Sequence, residues 1–233
     1  SADAAAASCE AAAPGPRVAV IGGGPAGLMA AEVLAAGGAQ VDLFDGMPSV
    51  GRKFLLAGKG GLNLTHAEPM PGFAQRYGAA APVVSTWLDA LSPQGLRDWA
   101  AGLGITTFVG SSNRVFPAEM KAAPLLRAWL HRLRVAGVRF HMRHRWDPAS
   151  LTAPGGDGAR TLHFDTPAGS VSHTAQAVVL ALGGASWARL GSDGRWVAPL
   201  QAAGVAVSPL KPSNCGFDIA WSDQLAGRHA GAP

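Results

Sequence analysis

The sequence predicts an α/β fold. Three observations predict it. Over Arg17–Asp45 a short apolar strand, a glycine-rich turn, an Ala/Leu-rich helix and a second strand follow one another, the order of a β-α-β unit. Thr161–Thr166 and Ser170–Thr174 alternate in polarity around Pro167-Ala168-Gly169, the signature of a β-hairpin. Ala177–Leu182 is apolar throughout, the pattern of a strand buried on both faces.

Each element has its own signal. Arg17–Ile21 is the first strand, Pro25–Ala36 a helix stopped by Gly37 and Gly38, and Gln40–Phe44 the second strand. Val50–Thr65 reads as a glycine-rich basic loop, and Val83–Gly102 as helical pieces with Trp87, Leu88, Leu91 and Leu96 as buried candidates. Thr106–Val109 and Val115–Phe116 are short strands. Leu125, Leu126, Trp129, Leu130 and Leu133 recur at helical spacing, with Pro124 in the first turn and Gly137 as the stop. Val138–Trp146 is read as one strand, Arg195–Ala203 as a helix, and Val205–Val207 as the start of a further strand.

Of the 233 residues, 48% are hydrophobic and 15% charged, which supplies a core and excludes a disordered chain. A net charge of +4 suits an anionic ligand, and no Lys/Arg run supports nucleic-acid binding. Two cysteines, Cys9 and Cys215, build neither a disulfide framework nor a metal site, so a reducing cytoplasm is the expected setting. Residues 1–15 read as a tail without signal-peptide features, and no apolar run approaches the roughly 20 residues of a membrane span.

Gly22-Gly23-Gly24-Pro25-Ala26-Gly27 matches GxGxxG. That signal is weak alone; the strand before it and the helix after it give it weight. Gly22 permits the tight turn, Gly24 lets backbone approach a pyrophosphate, and Gly27 lets helix and strand pack closely. Pro25 and Ala26 open the helix, whose free N–H groups face the phosphates. Asp45 ends the second strand 45 − 27 = 18 residues after the last glycine, where a carboxylate can accept from ribose hydroxyls. FAD and NAD both use this unit, so these residues leave the choice between them open.

The segments that follow carry a resemblance. Gly22–Gly27 with Gly51-Arg52-Lys53 resembles the glutathione-reductase-type FAD proteins. More narrowly, Gly51–Phe54, Gly58–Thr65, Val115-Phe116-Pro117 with Lys121, Ala181–Ser186 and Pro212–Asp218 resemble the BaiN-like bacterial flavoproteins, which include aminoacetone-oxidase-like enzymes. The resemblance implies a Rossmann-like, three-layer ββα domain with a β-meander, holding FAD. It places Arg52 and Lys53 beside the diphosphate, Gly58–Gly61 close to the flavin, and Asn63 and Thr65 at the ring edge or ribityl chain. It sets the backbone of Trp146 against adenine and Gly183-Gly184 against the cofactor. Asp193 bonds the cofactor or caps the following helix, and both readings stand.

Other constellations are bland. His141 and His144 on one strand would point to opposite faces, so a metal site is not expected. Cys215 reads as a small buried residue, and no GxSxG elbow is present. A single nucleotide fingerprint favours an oxidase or an externally reduced enzyme over a pyridine-nucleotide reductase. The expectation is a tail over 1–15, an FAD-binding domain over 16–205, and the start of an inserted substrate or cap domain over 206–233. The function expected is an FAD-dependent oxidoreductase acting on an unidentified small molecule, with catalytic residues unassigned. A non-catalytic flavin-binding module and an NAD-dependent dehydrogenase are the alternatives.

Overall fold

The computed structural model describes residues 14–56, 60–151, 155–156, 158–211 and 222–223. Strand β1 (Arg17–Ile21), helix α1 (Pro25–Ala36) and strand β2 (Gln40–Asp45) form the expected β-α-β unit. The chain continues through α2 (Arg52–Leu56), β3 (Thr65–His66), α3 (Met70–Gln75), α4 (Ala81–Ala90), α5 (Pro93–Gly102), β4 (Thr107–Val109), β5 (Arg114–Pro117) and α6 (Ala122–Val135). It ends, among the described residues, with β6 (Arg139–Met142), β7 (Arg145–Trp146), β8 (Arg160–Thr166), β9 (Gly169–Ala175), β10 (Ala177–Leu180) and α7 (Val197–Ala202).

Four strands make a parallel sheet in the order β10-β1-β2-β6. Ile21 stands beside both Phe44 and Leu180, so the carboxyl ends of β1, β2 and β10 lie together. The two-residue period of each strand then sorts its side chains between two cores. Val20, Val41 and Leu43 face the helices and pack with Leu28, Ala31, Leu125, Trp129 and Leu133. Ala19, Ile21 and Phe44 face the antiparallel meander β7-β8-β9 and pack with Trp146, Leu162 and Phe164. The layers are thus helix, parallel sheet and meander, as predicted. A second small antiparallel sheet, β3-β5-β4, carries the segment after α2.

Several expectations need correction. Val138–Trp146 is two strands, because Arg143 takes a left-handed backbone conformation (φ 58°) and passes the chain from the parallel sheet to the meander. That break also overturns the opposite-face reading of His141 and His144: their rings meet at 5.5 Å, and His141 stacks on Phe44 at 4.5 Å. Trp87 and Leu91 are exposed rather than buried, since α4 turns Val84 inward. The β10 strand is half-buried, because among the described residues only β1 pairs with it. Val205–Val207 forms no strand. Cys9, Cys215, Gly58 and Pro212–Asp218 lie outside the described residues.

Asp42, on the meander face of β2, is 1% exposed. Its carboxylate accepts two hydrogen bonds from Arg139, at 2.8 and 2.6 Å, and lies 2.7 Å from His141 Nε2. His173 Nε2 lies 3.4 Å away but is not aligned for a hydrogen bond. Burial pushes the Asp42 carboxyl up, yet the bonds from Arg139 and His141 and the neighbouring charges outweigh it and hold it at about 2. Burial also pushes His173 below its ordinary value. Both groups bind fewer protons folded than unfolded, so stability rises with pH across their windows. Urea midpoints are therefore expected to fall as pH drops below about 6.5, through His173, and again between about 4 and 2, through Asp42. Asp42→Asn should remove the lower step; a variant that keeps it would show that the carboxylate is not its source.

Candidate dinucleotide site

The turn after β1 lies at the carboxyl edge of the parallel sheet, where open α/β sheets hold ligands. The Gly22 amide donates to the Phe44 carbonyl (2.8 Å), tying the turn to β2. Gly22 has φ 110°, and a Cβ there would stand 2.2 Å from the Ala181 carbonyl oxygen. A Cβ on Gly27 would lie 1.8 Å from the Gly22 carbonyl oxygen, so this residue sets how closely α1 packs on the strand. Gly24 behaves differently. It precedes α1 with an ordinary extended backbone, and a Cβ on it would meet no atom within 4 Å. The turn is thus closed at Gly22 by the backbone of Ala181, closed at Gly27 by its own backbone, and open at Gly24.

That opening is lined for an anion. Pro25 brings no N–H, and the Leu28 amide is spent on the Gly24 carbonyl (2.9 Å). The amides of Ala26 and Gly27 belong to the first helical turn, which has no intrahelical acceptor for them, and the helix dipole adds positive potential there.

Asp45 closes the other side. Its Oδ2 accepts from the Gly23 amide (2.8 Å) and its Oδ1 from the Met47 amide (2.7 Å). Burial raises its pKa, and the two amides and the charge of Arg52 act against that rise. Each oxygen retains a lone pair, so two ribose hydroxyls can still be accepted. Gly23 is the residue that the sequence reading passed over. Its carbonyl accepts from Gly51 (2.8 Å), and a Cβ on it would strike Val50 at 2.3 Å. The signal was the middle one of three consecutive glycines, at a motif position where any residue is formally allowed.

The loop into α2 is pinned to this turn. Gly51 has φ 68°, and a Cβ there would lie 2.6 Å from Leu126 Cδ2, so this glycine makes room for α6. Arg52 reaches Ser49 Oγ through Nη1 (3.4 Å), while its Nε is buried without a hydrogen-bond partner among the described residues. Lys53 hydrogen-bonds Ser186 in the loop after β10, so it spans from α2 to the Gly183-Gly184 strand end. Ser186 had no signal of its own in the sequence.

The remaining residues are spread more widely. Gly61 (φ 124°) accommodates Met120, whose Cε would be 2.3 Å from an added Cβ. Asn63 is exposed, and Thr65 pairs with Val115 in the small second sheet. Among the described residues, none of these three hydrogen-bonds to the glycine turn. Trp146 is buried in the meander core, on the edge strand β7, which leaves one backbone edge outside the β8 ladder. The Gly183 carbonyl accepts from Trp196 (3.1 Å) and the Gly184 carbonyl from Ser192 (2.8 Å). Asp193 accepts from the Arg195 amide (3.2 Å) within the turn before α7, whose N-cap position is Trp196, so Asp193 does not cap that helix. Among the described residues no group of His, Cys, Asp and Glu could hold a metal ion, and no helix is long and apolar enough to cross a membrane.

Two features of this geometry suit the diphosphate and ribose of FAD: the open face at Gly24 between unpartnered amides, and the buried, partnerless Nε of Arg52. Comparison with known proteins agrees. The profile of the HI0933-like protein Rossmann domain matches residues 16–223. A 3-dehydro-bile acid delta(4,6)-reductase from Clostridium scindens is 29% identical over 199 residues, which are 84% of this chain and 46% of that protein. The chain therefore spans about half the length of this relative. Among solved structures, a 3-ketosteroid-delta4-(5alpha)-dehydrogenase from Rhodococcus jostii superposes with a TM-score of 0.61 at 18% identity, over 86% of this chain and 56% of that one. Thermovibrio ammonificans THI4 gives 0.52 at 19%, over 82% and 64%. At those identities the two structures speak for the fold.

Proposed function

This chain belongs to the HI0933-like Rossmann-domain family, an FAD-binding family of oxidoreductases, and on that premise we propose that it holds the FAD of an oxidoreductase at the Gly22–Gly27 turn. The observation that carries this reading is the open face of Gly24, in a turn whose other glycines, Gly22, Gly23 and Gly27, are already packed against neighbouring atoms. The amides of Ala26 and Gly27 would hold the diphosphate, with Arg52 as charge partner. Asp45 would accept from the adenosine ribose, held in place by the Gly23 and Met47 amides. Lys53 would stand at the flavin-proximal side, since its ammonium reaches the loop after β10. The free backbone edge at Trp146 offers one N–H and one C=O for an adenine edge. FAD, when bound, supplies the redox chemistry; these residues bind and orient it.

We assign the nucleotide-binding part to residues 16–205, within the matched 16–223. The substrate stays open, and the first to offer is a 3-dehydro bile acid, after the Clostridium scindens relative. The two cysteines, without a CxxC, fit a reducing cytoplasm.

The purified chain, incubated with FAD and desalted, is expected to retain a flavin absorbance band and to release FAD on denaturation, identified by mass spectrometry. A chain that stays colourless with FAD but binds NAD tightly would replace this reading with the dehydrogenase one.

A further inference from the structure

A cavity of about 250 Å³ lies between the end of β3, the start of α3 and the start of α5. None of the residues that line it belongs to the Gly22–Gly27 turn, to Asp45 or to α2. Its two walls differ in what they can bond. His66, Glu68 and Met70 stand on one side, and Ser92, Gln94 and Arg97 on the other.

The α5 wall donates. Ser92 caps the helix: its Oγ accepts from the Gly95 amide (3.0 Å), which leaves its own O–H to donate. Arg97 is fixed along one edge, with Nε donating to Thr107 Oγ1 on β4 (3.1 Å) and Nη1 to Gln94 Oε1 (3.4 Å). Gln94 is itself held by Asp98, which accepts from its Nε2 (2.8 Å). Among the described residues Arg97 Nη2 has no hydrogen-bond partner, and its guanidinium has no ion pair.

The opposite wall accepts. Glu68 Oε2 accepts from Arg76, and that bond holds the carboxyl below its ordinary value, so Glu68 stays ionised. Glu68 Oε1 accepts no hydrogen bond among the described residues. A Cβ on Gly72 would stand 3.0 Å from that oxygen, so the glycine in α3 leaves it room. His66 fixes the wall: its Nε2 faces the Ser112 carbonyl (3.1 Å) and its Nδ1 accepts from the Glu68 amide (3.2 Å). Glu68 and Arg97 thus share one cavity, yet they stand too far apart to pair with each other.

We infer that this cavity binds a small ω-amino acid, its carboxylate on Arg97 and Ser92 and its ammonium on Glu68 Oε1. A ligand with one charge would leave the other wall unmet. An α-amino acid carries its two charges side by side and could not reach both walls. At about 30 Å³ for each water-sized group, the cavity holds about eight of them, the size of a four-carbon chain with its two end groups. Met70, Pro69 and Pro93 give that chain apolar contact. The site stands apart from the dinucleotide turn and does not depend on the FAD reading.

The test is a ligand-observed NMR titration of the full chain, with FAD present throughout, using 4-aminobutyrate, butyrate and butylamine. The wild type is expected to bind 4-aminobutyrate about tenfold or more tightly than either analogue. Arg97→Gln should bind it no better than wild type binds butylamine, and Glu68→Gln no better than wild type binds butyrate. Circular dichroism checks that both variants fold; the comparison of the three ligands on the wild type stands without them. No binding of any of the three by the wild type would overturn the site. An analogue that binds as tightly as 4-aminobutyrate would overturn the two-ended recognition. Folded variants that keep wild-type affinity would show that the ligand binds elsewhere, and would overturn the assignment to this cavity.

Discussion

Gly24→Val is expected to weaken FAD binding by two orders of magnitude or more while the protein without FAD keeps its fold. The effect follows from what surrounds the residue. A Cβ at position 24 meets no protein atom within 4 Å, so the folded chain has room for the valine. The backbone there is extended (φ −80°, ψ −179°), a conformation any residue adopts. The cost to the apo protein is the poorer N-cap, about 1 kcal/mol or less. The isopropyl group instead fills the space through which a diphosphate must reach the amides of α1. Losing two charge-assisted hydrogen bonds of about 1.5–3 kcal/mol each corresponds to a factor of about 150 or more. Flavin fluorescence titration measures the binding, and a melt without FAD measures the fold. Gly27→Val is the contrast. Its Cβ would overlap the Gly22 carbonyl at 1.8 Å, so that variant should lose the fold itself. Normal FAD binding by Gly24→Val would mean that the diphosphate does not pass over this turn.

The difference between these two glycines marks how far the sequence could be read. The GxGxxG spacing, the flanking apolar strand and helix, and the position of Asp45 are local patterns. The β1-α1-β2 unit was legible for that reason, and its strands and helix stand where the pattern puts them. What the sequence could not supply is contact across long separations. Gly51 and Gly61 read as glycines that let backbone near a cofactor, but their Cβ positions are blocked by Leu126 and Met120. Those neighbours come from α6 and the segment before it, over 50 residues away. The break in Val138–Trp146 was equally hidden, because a left-handed arginine carries no sequence mark. A five-residue helix, α2, sits inside a stretch whose glycines and charges read as loop. Trp87 and Leu91 read as buried candidates, whereas both are exposed and α4 rests on Val84.

Glu32→Ala is expected to be the most destabilising single change outside the glycine turn, because one carboxylate holds three helices. Glu32 lies on α1, part-buried beneath α5 and α6. Its Oε2 accepts from Trp129 Nε1 (2.6 Å) and Trp99 Nε1 (3.1 Å), and its Oε1 from Arg132 Nη1 (2.9 Å). Truncation leaves two indole N–H groups and a guanidinium facing a gap too poor in acceptors to satisfy them. Removing one partner of a buried pair costs about 3–5 kcal/mol, and about 3 is expected here, since Arg132 can still reach water. For a chain of this size that is about 6–12 °C in Tm. Glu32→Gln separates the contributions: the amide keeps an acceptor for the indoles and loses the ion pair, so its cost should fall between zero and that of alanine. Glu32→Leu combined with Trp129→Phe should cost less than the two single changes added, because the pair then has no unmet donor. Urea denaturation of Glu32→Leu, Trp129→Phe and the double variant reads this directly, and additive costs would show that the indole and the carboxylate are not coupled. The same experiment bears on the cofactor. The amides of α1 sit at the end of the helix that Glu32 ties down, so loosening it should weaken FAD binding only as far as the fold is lost, whereas Gly24→Val should weaken it with the fold intact.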